Sequence, residues 1–179
     1  MKKNILINIS IILFVILLGV SARLLPHPWN FTPLTAIALS LSVYLGWRYS
    51  IIGVIAIMLL SDIFIGVYDL PIMLSVYGSF VFSIILGTFI DRHKKQTILF
   101  GILGSSLFFF LVTNFAVWEF GTMYPHSFLG LIESYTMAIP FFRNALLGDI
   151  FYTTIFFGVF EICIYFEQRF VKLLAWKKI

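Results

Sequence analysis

Asp62, Asn114, Arg143, Asn144 and Asp149 each interrupt a stretch of apolar residues. Carboxylates, carboxamides and a guanidinium in such surroundings can hydrogen-bond or ion-pair a small molecule, or they can hold helices together. A second group of polar side chains lies in RLLPHPWNFTPL, residues Arg23 to Leu34. This segment holds an arginine, a histidine, an asparagine and three prolines between two strongly apolar runs, far more than a plain turn requires.

The elements that carry these residues must be membrane helices. The chain has 179 residues, of which 61% are hydrophobic and only 11% charged, too few charges to cover a soluble surface. Its mean hydropathy is +1.04. Apolar runs recur along the whole length, which reads as one all-α polytopic domain over 1–179. The expected architecture is a compact bundle of about six transmembrane helices, with spans near 4–24, 33–47, 49–68, 71–90, 97–119 and 137–166. An amphipathic tail over 167–179 would lie along the membrane surface with Leu173, Leu174 and Trp176 buried. The first run resembles a signal peptide, with Lys2 and Lys3 ahead of it and Ser21-Ala22 behind. The spans that follow directly favour a retained helix. The second span is short, and the extended segment before it is expected to be buried in protein, since lipid cannot satisfy bare backbone.

Charge sets the direction. Lys2, Lys3, Arg48, Arg92, Lys94, Lys95, Arg169, Lys172, Lys177 and Lys178 fall on alternate loops and both ends, ten of the twelve basic residues. This positive-inside pattern places both termini on the cytoplasmic side of the membrane. The net charge of +4 is thus a topology signal, and nucleic acid is not an expected partner. The DRHKKQ turn, Asp91 to Gln96, belongs to the same signal.

In this frame all five polar span residues fall in the outer half. Asp62 lies ~9 Å below Tyr68, Asn114 ~6 Å below Trp118 on the same helix face, and Asp149 ~13 Å below Pro140. A cavity open to the outside accounts for that bias. Arg23, His27 and Asn30 would face inward over it, and Trp29, Trp118 and Tyr124 would supply stacking surface. Thr32 is the expected N-cap of the second helix, with Pro33 at its first position. The third outer stretch, Glu119 to Thr136, is long enough to form a lid.

Structural roles compete with these. Asp62 and Arg143 can form an ion pair that pins two helices. Asn114 can bond across helices, Asp149 can be held by Tyr152 or Thr153, and the aromatic residues can anchor the interface. Gly101, Gly104, Ala36, Ala38, Ser40 and Ser42 suit close helix packing. The single Cys163 excludes an internal disulfide and reads as a small packing residue. There is no phosphate-binding glycine loop, no His-Glu-x-x-His and no Gly-x-Ser-x-Gly, so no catalytic residue, cofactor or metal is assigned.

Four strings in order, RLLPHPWNFTPLTAIAL, LLSDIFIG, FFLVTNFAVW and IPFFRNALLGD, resemble a family of small uncharacterised bacterial membrane proteins, across nearly the whole chain. More loosely, the six-helix layout is similar to the S-components of energy-coupling-factor vitamin transporters. That resemblance implies capture of a vitamin or metal-related compound on the outer side. It also implies a coupling subunit with cytoplasmic ATPases as partners, which many S-components meet through small residues of the first helix. Here the first span offers only Gly19 and Ala22, three positions apart where that surface spaces its small residues by four. The expected function is substrate binding for membrane transport. The alternatives are an integral-membrane enzyme acting on a lipid or quinone, with Asp62 or Asp149 in acid–base work, and a non-catalytic assembly subunit.

Overall fold

The computed structural model describes the backbone of residues 2–176 and the side chains of 7–169. Six helices follow one another: α1 (Lys2–Leu24), α2 (Leu34–Tyr44), α3 (Trp47–Ile65), α4 (Leu70–Gly87), α5 (Lys95–Phe120) and α6 (Phe128–Trp176). No strand occurs among the described residues. All but α2 are long and apolar enough to cross a membrane, so the chain is a multi-pass membrane protein. The end carrying the basic loops is called inner here, and the opposite end outer.

The short helix is the centre of the molecule. α2 has eleven residues, and Leu34 to Ser42 are all buried. At ~1.5 Å per residue it covers only ~16 Å, so it could not stand alone across a ~30 Å hydrocarbon core. It need not, because α1, α3, α4, α5 and α6 all touch it. Its Leu34, Ile37, Ala38 and Leu41 form the core with Val54, Ile57 and Met58 of α3 and Phe80 and Ile84 of α4. Small residues allow the approach. A Cβ on Gly87 of α4 would stand 2.6 Å from Ser42 Cβ and 3.2 Å from the Leu39 carbonyl oxygen. Ser42 Oγ donates to the Ile84 carbonyl at 2.8 Å, and Ser50 Oγ to that of Ala38 at 2.8 Å. Gly19 of α1 packs against Ile57 of α3, so this glycine serves contact within the chain.

Several expectations change. The segment before α2 is not buried in protein: Leu24 to Asn30 are exposed, and the chain lies across the outer end of the bundle. Thr32 does not cap α2, whose N-cap position is Pro33 with no side-chain bond. α6 begins at Phe128 rather than near 137, which leaves a third outer connection of only 121–127 in place of a long lid. Gly130, Ser134 and Ala138 recur at helical spacing and are buried, a small-residue face that docks this early part of α6. Tyr135 adds a hydrogen bond to the Leu111 carbonyl of α5 at 2.8 Å. Cys163 is exposed on the bundle surface, not packed inside. α6 continues helical through Glu167 to Trp176, while the side chains of Leu173, Leu174 and Trp176 lie outside the described residues.

At the inner end the Asp91 turn is closed by the His93 N–H donating to Asp91 Oδ1 at 3.0 Å, with Lys94 3.5 Å from the other carboxylate oxygen. The His93 bond first, and then Lys94, hold the Asp91 carboxyl below its ordinary range. Tyr44 donates to Glu161 Oε1 at 2.8 Å, and Arg92 stands 3.5 Å from the same oxygen.

Candidate small-molecule site

α1 ends in Arg23, a cation at a helix C-terminus, where the helix dipole favours it. Its Nη1 lies 2.9 Å from Asp62 Oδ1 of α3, at an angle that makes an ion pair rather than a hydrogen bond. The same nitrogen donates to Ser61 Oγ at 2.5 Å and contacts Met58 Sδ at 3.1 Å. Tyr77 of α4 donates to Asp62 Oδ2 at 2.7 Å. Three helices are thereby tied at one buried carboxylate. Tyr68, in the connection after α3, stands near enough that burial and then the Asp62 charge push its phenol above the ordinary value. All the Arg23 contacts use Nη1, so Nε and Nη2 have no partner among the described residues.

Beside Arg23 opens a cavity of about 570 Å³, within the size range of small-molecule sites. Leu25, Pro26, His27, Trp29, Asn30 and Thr32 form its outer wall. Deeper down it is lined by Thr35 of α2, Met58 of α3, Phe80 of α4, Ser106 and Phe109 of α5, and Ala145 and Asp149 of α6. Asp149 is 4% exposed. Its Oδ2 accepts a hydrogen bond from Ser106 Oγ at 2.6 Å, and the Thr35 side chain bonds it as well. The partners expected from sequence, Tyr152 and Thr153, do not hold it. They share its helix, whereas Ser106 and Thr35 reach it across helix interfaces.

Local chemistry fixes the outer wall. The Phe31 N–H donates to the Pro28 carbonyl at 2.9 Å, closing a turn in which Asn30 has φ +61°. Asparagine is among the few non-glycine residues that accept this region readily. Phe31 packs on Phe151 and Tyr152 of α6 with ring centroids 5.9 and 5.4 Å away, and Trp29 meets Phe141 edge-on at 6.3 Å. Gly148 makes the seat for Phe31, since a Cβ there would stand 3.3 Å from Phe31 Cα. His27 Nδ1 lies 2.7 Å from the Leu25 carbonyl oxygen and so must carry the proton.

The family model of DUF6580, a family of unknown function, matches residues 3–173. The chain belongs to this family. No curated protein and no solved structure matches it.

The other residues singled out in this DUF6580 chain divide by position. Asn114 lines a second cavity of about 260 Å³, which shares Asn30, Val76, Ser106, Phe109 and Ala145 with the first. Its Nδ2 donates to the Phe110 carbonyl one turn back at 2.7 Å, so it bonds its own helix rather than a neighbour. Asp62 lines neither cavity and acts through Arg23. Trp118, Tyr124, Arg143 and Asn144 line neither. Trp118 donates to the Pro125 carbonyl at 3.1 Å and meets His126 edge-on, which shapes the short third connection.

Arg143 is exposed and does not pair with Asp62. The reason is topological: α2 occupies the centre, and among the described residues α3 and α6 are not packed against each other. Sequence reasoning missed Ser106, Thr35, Phe80, Phe109 and Tyr77. Serine, threonine and phenylalanine are ordinary in membrane helices, so nothing in their type singled these positions out. Tyr77, a phenol in an apolar span two residues from Ser75 and two from Ser79, was the one legible signal.

Proposed function

We propose that this protein captures a small molecule from the outer side of a bacterial cytoplasmic membrane and serves its transport. The observation that carries this is the cavity at the outer end, walled by Arg23 to Thr32 and floored by Asp149. A bundle that used its polar residues only for helix pairing would close over them. Here the deepest carboxylate faces about 570 Å³ of open space, with mostly apolar walls and a few convergent polar groups. Work of the energy-coupling-factor kind, with a coupling subunit and ATPases at the inner end, is the transport scheme this reading adopts, and a vitamin-sized organic molecule suits the volume.

The test is native mass spectrometry of protein gently extracted from its own host, beside an Ala145→Trp variant. Ala145 lines both cavities, so the indole fills the shared space. A small molecule bound to the wild type and missing from the variant supports capture. ATPases that purify with either form support the coupled scheme. A molecule retained at equal occupancy by Ala145→Trp would refute the cavity as the site.

A further inference from the structure

The larger cavity has an unbalanced charge. Arg23 faces it, but its charge is spent on Asp62, 2.9 Å away. Asp149 has no such counterpart. Its bonds come from the neutral hydroxyls of Ser106 and Thr35, and among the described residues no Lys, Arg or His nitrogen pairs with it. His27 sits at the rim and bonds the Leu25 carbonyl. Once the Arg23–Asp62 pair is counted as neutral, Asp149 alone sets the sign inside. A buried carboxylate in that position either stays protonated or waits for a cation from outside the chain.

The walls decide which kind of cation fits. Phe80 and Phe109 line the cavity with ring centroids 5.4 Å apart, and Trp29 stands at its mouth. Aromatic faces attract cations, and they do so most effectively for organic ammonium groups that shed water cheaply. A bare metal ion is a poor match. No group of three His, Cys, Asp or Glu forms among the described residues, and an ion would leave most of the volume empty. An anion would have to approach an uncompensated carboxylate.

We propose that the cavity binds a small organic cation, a protonated amine or a quaternary ammonium, with its charge against Asp149 and its carbon body against Phe80 and Phe109. The free N–H groups of Arg23 then face an acceptor such as a carbonyl at the other end of the same molecule. This assignment rests on the capture reading above, and it names the ligand class that the reading leaves open.

The experiment uses full-length protein from its own host in mild detergent, as wild type, Ala145→Trp and Asp149→Asn. Compounds released on denaturation are identified by mass spectrometry. The same preparations are then titrated with tryptamine, tryptophol and indole-3-propionate, which share one ring system and carry a cation, a neutral hydroxyl and an anion. The expected result is an amine or ammonium compound in the wild type alone. Tryptamine should bind the wild type about 10- to 100-fold more tightly than tryptophol, a preference that vanishes in Asp149→Asn. The probe series reads charge preference on the wild type by itself, so the result stands even if a variant folds poorly. Equal binding of the three probes overturns the cation assignment but not capture. So does a neutral or acidic compound that Ala145→Trp excludes and Asp149→Asn retains. A wild type with no compound and no probe binding that Ala145→Trp removes overturns both.

Discussion

Arg23 Nη1 stands 2.9 Å from Asp62 Oδ1, and this pair joins the outer end of α1 to that of α3. α1 touches only α2 and α3 among the described residues, and the pair adds to the packing of Val15 in the core and of Gly19 on Ile57 that holds it there. The two partners are not equivalent. Asp62 is 4% exposed, whereas Arg23 borders the cavity and can reach water.

Arg23→Ala should therefore cost more than Asp62→Asn. The first leaves an unpaired carboxylate in the interior, which typically costs about 3 kcal/mol. The second leaves an arginine that can turn into the cavity, and Tyr77 keeps a hydrogen-bond acceptor. Thermal unfolding of the two variants in one detergent gives the order, and a lower midpoint for Asp62→Asn would contradict it.

Gly148 seats Phe31 and through it the outer wall of the cavity. Gly148→Leu should displace residues 28–32, raising hydrogen exchange there while leaving the α2 core protected. Gly148→Ala should need a shift of only a few tenths of an ångström and have a small effect. Exchange mass spectrometry over the segment separates the two.

Asn30 holds φ +61° at the turn before α2. Asn30→Gly should keep the turn, and Asn30→Val should cost about 1–2 kcal/mol because a branched side chain resists that region. Any ligand contact through the amide would be lost in both variants. Comparing their melting points with their ligand occupancy therefore divides backbone from side-chain effects.

Arg143 is exposed and lines neither cavity. Arg143→Ala should change stability by no more than about 0.5 kcal/mol and leave ligand occupancy as in the wild type. A strong loss of occupancy would mean that Arg143 reaches the site in a conformation other than this one.

Part of the site was legible in the residues because polar groups cost so much in a membrane that each one needs a reason. Arg23, His27, Trp29, Asn30 and Asp149 stand out on that ground, and the structure brings all five to the wall of one cavity. Asn114 comes to the adjoining space. The Asp62 partner was not legible. Arg143 and Arg23 are both outer cations, and helix periodicity carries no information about which helices are neighbours.

Apolar run length marks the membrane helices, since burying bare backbone in lipid is prohibitive, and basic-loop alternation supplies their expected direction. The steep cost of intramembrane polar groups likewise marks the candidate residues in the chain itself. Only the tertiary structure decides that α2 is a buried central post, that it separates α3 from α6, and that Arg23 instead of Arg143 neutralises Asp62. The same packing leaves Asp149 facing open space between Ser106 and Thr35. Lipid is as apolar as the side chains that face it, so hydrophobic pattern cannot choose among helix arrangements. Close fits such as Gly87 on Ser42 and Gly148 on Phe31 make that choice, and they arise only between residues far apart in the chain.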